Sequence, residues 1–572
     1  MKWVFTYLKP LSRRICFGVA VKVVGTLAEL MIPFLLTHIL ENVIVTNDVK
    51  KILFYGALMA VCAVIACLGN IIANRMAAKT TMKFSTQMRR DLFSKTLLLS
   101  ARSTDYFTIP SLESRITSDT YNVQNFIGMM QRMGIRAPIL LLGGTAITMV
   151  MDRKLALVMI ATLPLIFIVV YSISRKGVPL YTKVQQSVDG MVRVVREDAQ
   201  GIRVIKALSK VDYENERYDR ANTALKKNET KAGVIMGVVN PVMTLLMNMG
   251  IVAVVAVSAY LVADNQSSAA TVIAFMQYFT LISMAMMSLS RMFVMYTKCA
   301  ASAKRISLVM ERESELKLVE DDKKGNPDVH ISFENVSFSY LGRKQNIKDV
   351  SFALKRGETL GIIGATGSGK STLLRLLMRF YDVDGGMVRI NGKDVRSYSQ
   401  EELTSMFGVV FQNDFLYADT IEENIRFGRN ISSEDIAEAA KIAQAHDFIT
   451  SFSDGYSHGV SAGGTNLSGG QRQRVLISRA IAGRPEILIL DDSSSALDYK
   501  TDANLRRALS DSLPDSTVIT VAQRVSSVKN CDLILVIENG SIIGCGKHEE
   551  LMSSCAEYKE ISDSQMGGAF LD

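Results

Sequence analysis

Long apolar runs dominate the first half of the chain. A bilayer core of about 30 Å needs about 20 mostly apolar helical residues, and six stretches meet this requirement. We therefore predict six transmembrane helices, at about residues 15–40, 52–75, 122–149, 155–174, 232–262 and 270–297.

Helical spacing of the apolar residues continues beyond the second and fourth spans, with charged residues on the other side of each helix. We therefore predict long extensions that project into water. The intervals 1–14, 76–121 and 175–231 contain 4, 7 and 13 Lys and Arg residues, whereas 41–51, 150–154 and 262–270 contain two, two and none. Because Lys and Arg are enriched on the cytoplasmic side, the N-terminus, the extensions and everything after the sixth span are predicted to be cytoplasmic.

The pattern changes after residue 305. A charged linker at 306–328 precedes short β-branched runs, such as TLGIIG, FGVVFQ and EILILDD, which alternate with helical segments. This alternation predicts an α/β domain with a mainly parallel core and an antiparallel lobe. The predicted fold is an all-α transmembrane domain at 1–305 followed by an α/β domain at 329–572.

The charge of the chain is divided unevenly between these halves. The net charge is +9, but residues 1–300 carry 34 basic and 17 acidic residues, a balance of +17, and the remainder carries 31 and 39, a balance of −8. A nucleic-acid-binding protein clusters basic residues on a soluble face, whereas here the basic half is also the apolar half. We therefore expect a membrane lipid environment and no nucleic-acid partner.

The segment GATGSGKS lies between the strand TLGIIG and the helix STLLRLLMRF, the context that a phosphate-binding P-loop requires. Glycines let the backbone wrap around phosphates, and the backbone amides and helix N-terminus supply positive potential. Lys370 is predicted to reach the β- and γ-phosphates, and the Ser371 hydroxyl to bind Mg²⁺. The candidates for binding ATP here are Gly364, Ala365, Thr366, Gly367, Ser368, Gly369, Lys370, Ser371 and Thr372.

Two further motifs make the pattern more specific. The strand ILIL ends at Asp491, which is predicted to order Mg²⁺, and LSGGQ opens a helix between the P-loop and this strand. With these motifs the chain resembles the ATP-binding cassette (ABC) transporters. The LSGGQ signature consists of Leu467, Ser468, Gly469, Gly470 and Gln471.

The resemblance implies roles for three more residues. Tyr340 stands at the position that stacks on adenine, Gln412 at the Q-loop position that contacts ATP and Mg²⁺, and Asp498 ends the D-loop SALD. The resemblance extends over nearly the whole chain, because RRDLFSK, SRITSD and QGIRVIKA look like exporter intracellular helices. It implies a half-transporter that needs a second copy or a partner, with ATP held between one P-loop and the opposite LSGGQ.

Two catalytic positions depart from the family pattern. The family has glutamate where this chain has Asp492, one methylene shorter, and histidine where it has Gln523, which cannot relay a proton. We therefore predict an ATP site that binds nucleotide and hydrolyses it poorly. The pattern resembles the degenerate-site subunit of bacterial heterodimeric multidrug exporters, whose partner supplies the consensus glutamate and histidine.

The cargo is less defined than the ATP site. Lys22 and Glu29 share one face of the first span and are either a mutually satisfied or snorkelling pair that faces the protein interior, or part of a substrate cavity or its gate. We expect export of hydrophobic or amphipathic compounds across a bacterial plasma membrane. The alternatives are a lipid, peptide or siderophore translocator of the same fold, a slow homodimeric exporter and a regulatory subunit without transport.

Overall fold

The protein forms two compact units, Met1–Leu98 with Phe107–Arg312, and Leu99–Tyr106 with Glu313–Asp572. Their structure is a computed structural model that describes residues 2–263, 268–313, 315–320, 325–326, 328–340, 342, 345–493 and 496–567. Within some helices, a few side chains lie outside this description. Each unit has its own packed core.

The described residues up to Met310 are mostly helical. Several of the helices are far longer than the about 20 residues needed to cross a bilayer. Their bounds are α1 Lys2–Leu8, α2 Ser12–His38, α3 Val49–Leu97, α4 Ala101–Phe107, α5 Ile109–Ser114, α6 Thr120–Met151, α7 Arg153–Ala207, α8 Val211–Gly237, α9 Val239–Ala263 and α10 Ala269–Met310.

Each predicted span coincides with helical structure. Among the described residues, five helical stretches are long and apolar enough to cross a membrane. The predicted span 155–174 lies in α7, where part of the side chains fall outside the described residues, so the count of six stays a prediction. The predicted span 232–262 is divided, because α8 ends at Gly237 and α9 begins at Val239. The five stretches are Trp3–Thr46, Val49–Leu97, Ile109–Met151, Val211–Leu261 and Ala269–Leu289.

Small residues allow α2 and α3 to pack closely. A Cβ atom added at Gly69 would lie 3.0 Å from Gly25 Cα and 3.3 Å from the Val21 carbonyl oxygen. Gly25 and Gly69 therefore let the two backbones approach, as small residues commonly do between membrane helices.

A buried carboxylate directly before α6 bonds to residues near the end of α10. Asp119 is 2% exposed and accepts a hydrogen bond of 2.8 Å from Arg305 Nε and one of 2.9 Å from the Ser302 hydroxyl. Burial of a carboxylate is tolerated when it is paired in this way. Asp119 belongs to the segment SRITSD that resembles an exporter intracellular helix.

The second unit is not one continuous stretch of chain. Residues 99–106 belong to it, although they fall inside the predicted transmembrane domain 1–305. In addition, α10 continues to Met310, five residues past that predicted end, and parts of the predicted linker 306–328 lie outside the described residues. The apolar periodicity of the sequence revealed neither the assignment of residues 99–106 nor the end of α10, because helical spacing continues through both segments.

Strands of the second unit form two sheets. The order β2-β1-β4-β5 is antiparallel, and the order β10-β9-β3-β8-β7-β6 is parallel from β9 to β6. This confirms the predicted parallel core and antiparallel lobe. The strands are β1 Ile331–Phe338, β2 Ile347–Leu354, β3 Thr359–Ile363, β4 Gly385–Ile390, β5 Lys393–Asp394, β6 Phe407–Val410, β7 Ile487–Asp491, β8 Thr517–Val521, β9 Leu533–Glu538 and β10 Ser541–Gly546.

Helices cover both faces of the parallel sheet. Strand β7 is therefore buried along its whole length, as expected for a strand of a parallel sheet with two covered faces. The helices are α11 Lys370–Leu377, α12 Gln400–Ser405, α13 Ile421–Arg426, α14 Ser433–Ile442, α15 His446–Thr450, α16 Gly469–Ile481, α17 Tyr499–Ser512, α18 His548–Ser554 and α19 Ala556–Gly567.

The close approach of α2 and α3 predicts a position-specific effect of adding one methyl group. We expect Gly69→Ala to destabilise the protein by about 1–3 kcal/mol, because overpacking a tight contact displaces backbone. Gly56 lies on the same helix with open space around it, so Gly56→Ala is the matched control. Thermal unfolding of the detergent-purified variants measures the difference, and equal midpoints for the two variants would contradict the contact.

Candidate nucleotide-binding site

Four strand ends bring the predicted site together. Strands β3, β8, β7 and β6 are parallel neighbours in this order. The P-loop follows β3, Gln523 follows β8, Asp492 follows β7 and Gln412 follows β6. Because the carboxyl ends of parallel strands meet at one edge of the sheet, segments from distant parts of the sequence face one crevice.

The P-loop adopts backbone conformations that favour glycine. Gly367 and Gly369 have φ values of +82° and +113°, which residues other than glycine rarely adopt. A Cβ atom at Gly369 would also lie 3.1 Å from the Asn346 carbonyl oxygen. Directly afterwards α11 begins at Lys370, so the loop leads into a helix N-terminus, where anions are favoured.

Polar groups of the loop converge. Lys370 Nζ donates hydrogen bonds of 2.8 Å to the Gly364 and Ala365 carbonyl oxygens. The Ser368 hydroxyl is buried and has no hydrogen-bond partner among the described residues. Burial lowers the pKa of Lys370, although Asp491 and Asp492 favour its charged form. The loop thus brings together a cation, a hydroxyl without a partner among the described residues and a helix N-terminus. These groups suit the binding of a phosphate chain.

Ser371 and Asp491 form the predicted metal-binding pair. The Ser371 hydroxyl donates a 3.0 Å hydrogen bond to Asp491 Oδ2. Burial is the main reason that the pKa of Asp491 is raised, and the neighbouring Asp492 raises it further. In the described part of the chain, no group of three or more His, Cys, Asp and Glu side chains could hold a metal.

A hydroxyl and one carboxylate nevertheless fit Mg²⁺, which is commonly held by one or two carboxylates together with substrate phosphates and waters. The ion would supply positive charge that offsets the negative charge of the phosphates. Ser371 and Asp491 would hold it, with Gln412 on the same cavity wall.

Asp492 and Gln523, the two residues that depart from the family pattern, contact each other. Gln523 Nε2 donates a 3.0 Å hydrogen bond to Asp492 Oδ2. The pairing of Asp491 with Val521 in the sheet brings the two following segments together, and the Asp492 amide donates to the Val521 carbonyl. Asp492 itself has a φ of +52°, an uncommon backbone conformation for aspartate.

These groups surround a cavity of about 310 Å³. Its walls include most of the predicted residues: Thr366, Gly367, Gly369, Lys370, Ser371, Thr372, Gln412, Asp491, Asp492 and Gln523.

Tyr340 is not on the cavity wall. Its hydroxyl lies 3.2 Å from the Thr372 hydroxyl, and its ring packs edge-on against Tyr381 with 5.1 Å between the centroids. The structure therefore places Tyr340 beside the last P-loop residue, whereas its predicted stacking on adenine stays a prediction.

The LSGGQ signature and the D-loop aspartate lie outside this cavity wall. Ser468 caps α16 in a reciprocal arrangement, accepting from the Gln471 amide at 3.3 Å while the Gln471 side chain accepts from the Ser468 amide at 2.9 Å. Ser468 and Gly469 are exposed, whereas Leu467 is buried. Asp498 caps α17 and accepts from the Thr501 amide and hydroxyl, which lower its pKa. Ser495, the first residue of SALD, lies outside the described residues.

Comparisons with known proteins agree with both units. Residues 15–286 match the family described as ABC transporter transmembrane region, and residues 347–495 match the ABC transporter family. The chain is 33% identical over 572 residues to the uncharacterized ABC transporter ATP-binding protein YfiB of Bacillus subtilis, covering 99% of each chain. The chain is an ABC transporter. A second relative of this transporter, the uncharacterized ABC transporter ATP-binding protein MT1311 of Mycobacterium tuberculosis, is 32% identical over 574 residues, covering 98% of this chain and 97% of the relative.

A solved structure shows the same fold. The ATP-bound structure of a bacterial Atm1-family ABC exporter matches with a TM-score of 0.83 and 22% identity, covering 97% of this chain and 98% of that one. The transporter therefore has a helical membrane domain followed by an ABC ATPase domain, the arrangement of an exporter-type half-transporter. It is an integral membrane protein whose ATPase domain couples ATP hydrolysis to transport.

Lys22 and Glu29 have separate partners in the membrane domain of the transporter. Lys22 Nζ donates to the Asn70 and Asn74 side-chain oxygens at 2.6 and 3.2 Å. Glu29 pairs with Arg136, with 2.5 Å between Glu29 Oε1 and Arg136 Nη2. The interpretation of the two as a mutually satisfied pair is therefore wrong, because each is satisfied by another helix.

Sequence reasoning missed two groups around the transporter's ATP site. Gln345, Asn346, Asn539 and Gly540 also line the cavity, although no motif marks them. Gln565 on α19 donates to the Gln523 carbonyl and accepts from the Val525 amide, both at 2.8 Å. An exposed glutamine in a polar helix carries no sequence signal, so only the fold reveals it.

The raised pKa of Asp491 predicts a pH-dependent metal requirement. Mg²⁺ needs the carboxylate form, and a raised pKa means that protonation begins at a higher pH than for an ordinary aspartate. We therefore expect Mg²⁺-dependent nucleotide binding to weaken as the pH is lowered from neutral toward about 4, the ordinary aspartate pKa, and to begin weakening above that value. Titration with a fluorescent ATP analogue, with and without EDTA, measures the metal-dependent part. A metal-dependent part that stays constant over this range would contradict the prediction.

Proposed function

We propose that the chain is the degenerate-site subunit of a heterodimeric ATP-driven exporter. In this proposal its own P-loop site binds ATP and hydrolyses it poorly, while its LSGGQ signature completes the partner's competent site. The cargo is a hydrophobic or amphipathic compound of the multidrug type, and the membrane is the bacterial plasma membrane, with the ATPase domain in the cytoplasm.

The hydrogen bond between Gln523 and Asp492 carries the proposal. A general base must lie within about 3 Å of the proton that it takes, and aspartate is shorter than glutamate by one carbon–carbon bond, about 1.5 Å. The Asp492 carboxylate is further engaged by the Gln523 amide at 3.0 Å. Gln523 is neutral and cannot relay a proton. The hydrogen bond thus occupies one oxygen of a carboxylate that is already too short, and Asp492 is poorly placed to position the attacking water.

The intact signature favours a heterodimer over a slow homodimer. Ser468 and Gly469 are exposed at the start of α16, where the helix N-terminus favours a phosphate from a second subunit. Two poor sites in a homodimer would leave this surface without an efficient site to complete. A partner with the consensus glutamate and histidine would use it.

The membrane domain supports an amphipathic cargo. Charged groups within membrane helices commonly mark substrate pathways, and Lys22 and Glu29 lie on one helix with partners on α3 and α6. Met249, Met276 and Met284 on α9 and α10 are exposed, and flexible thioethers suit varied apolar ligands. Uptake of a hydrophobic dye by inside-out vesicles, dependent on ATP, would test this cargo class.

Restoring the two family residues should raise hydrolysis at this site. We expect the double variant Asp492→Glu with Gln523→His to hydrolyse ATP at least about 10-fold faster than the unmodified chain purified alone, because a positioned base contributes about 100-fold or more. Phosphate release at saturating ATP is the measurement. As a control, adding Asp491→Asn should abolish the gain. Equal rates before and after restoration would favour the slow homodimer.

Loss of the P-loop lysine and loss of the signature serine should have different effects on the assembled transporter. In the complex purified from its native membrane, Lys370→Ala should shorten ATP retention while reducing turnover only modestly. Ser468→Ala should reduce turnover strongly while leaving ATP retention at the Lys370 site less affected. Parallel assays of bound-nucleotide release and phosphate production separate the two, and the reverse pattern would overturn the asymmetric assignment.

A further inference from the structure

The C-terminal helix α19 holds the segment that carries Gln523. The Gln565 side chain spans two backbone groups of this segment, since its Nε2 donates to the Gln523 carbonyl and its Oε1 accepts from the Val525 amide, both at 2.8 Å. Gln523, which provides the first of these groups, and Arg524, which lies between them, are exposed. Buried Ala522 and Val525 flank this exposed stretch, and the Ala522 amide donates to the Ile362 carbonyl, so the Gln565 side chain adds two further hydrogen bonds that restrict the backbone between them.

The position of Gln565 is itself set by packing. Tyr558, two turns earlier on α19, is fully buried and its hydroxyl lies 2.8 Å from His548 Nδ1. Ile561 packs against the same core cluster, which includes Val525 and Val528. Because side chains on a helix repeat at three- and four-residue spacing, this anchored face carries Gln565 to the Gln523 segment.

The contacts continue from this segment into the ATP cavity. Gln523 Nε2 donates to Asp492 Oδ2 at 3.0 Å, and both residues line the cavity, whereas Gln565 does not. A neutral amide can donate either to this carboxylate or to a phosphate oxygen. Which of these two acceptors the Gln523 amide reaches depends on where the backbone of residue 523 is held.

We propose that Gln565 is a positioning residue of the ATP site, which acts through Gln523. The amide of Gln565 fixes the backbone of residues 523–525, so that the Gln523 side chain is directed at the cavity and can donate to a bound phosphate. The inference rests on the proposed function, because it assigns a nucleotide-holding role to the residue that replaces histidine.

Equilibrium affinity for ATP provides the test, measured with a fluorescent analogue on the full-length transporter in detergent. Gln565→Ala should weaken binding about fivefold, the value of one hydrogen bond of about 1 kcal/mol. Gln565→Met has similar bulk without the amide and should weaken binding equally. Ser564→Ala is the matched control, because the Ser564 hydroxyl donates to the Ile561 carbonyl of its own helix.

A double-mutant cycle distinguishes positioning from a general structural role. If Gln565 acts through the Gln523 side chain, Gln565→Ala should have little further effect on affinity in a Gln523→Ala background. Equal loss of affinity in both backgrounds, wild-type affinity for Gln565→Met, or an equal loss for Ser564→Ala would overturn the proposal. None of these measurements uses hydrolysis, so rapid turnover by the unmodified chain would overturn the proposed function without affecting this test.

Discussion

The residues of the ATP site are positioned by the edge of the sheet at which the parallel strands end. Parallel strands require long crossover connections, so residues that meet at this edge are far apart in sequence. Lys370 follows β3, Asp491 ends β7 and Gln523 follows β8, and the register of β7 against β8 fixes which side chains face each other. A shift of one residue would direct alternate side chains to the other face of the sheet. The positions of these side chains in the site therefore depend on the backbone pairing of the sheet.

The same register explains why the two non-consensus residues should be considered together. Asp491 pairs with Val521, so Asp492 and Gln523 emerge next to each other and form a hydrogen bond. A glutamate and a histidine at these places would have different reach and charge, and each would change the environment of the other. Substituting either Asp492 or Gln523 alone therefore also changes the surroundings of the other residue. This coupling makes the site a single unit with respect to nucleotide chemistry.

Much of this arrangement could be predicted from the sequence, because local signals define it. The P-loop glycines, Asp491 and the Ser468 cap each follow from a few neighbouring residues. The hydrogen bond between Gln523 and Asp492 could not be predicted, since it depends on which strands are neighbours. The partners of Lys22 and Glu29 lie on other helices, and helix periodicity does not specify which faces meet. Gln565 and the break at Val238 between α8 and α9 have no motif or composition that distinguishes them.

Residues 99–106 give the second unit a discontinuous chain. The Tyr381 hydroxyl lies 2.5 Å from Asp105 Oδ2, a contact across 276 residues of sequence, and Ala101 packs against the core cluster that contains Tyr381. During synthesis, Asp105 emerges from the ribosome long before its partner exists. A fragment that begins at residue 313 would lack this piece, leaving an apolar patch uncovered and a tyrosine hydroxyl without its carboxylate. The ATPase unit is thus completed by a peptide from within the membrane half of the sequence, and any truncation or domain exchange must carry that peptide along.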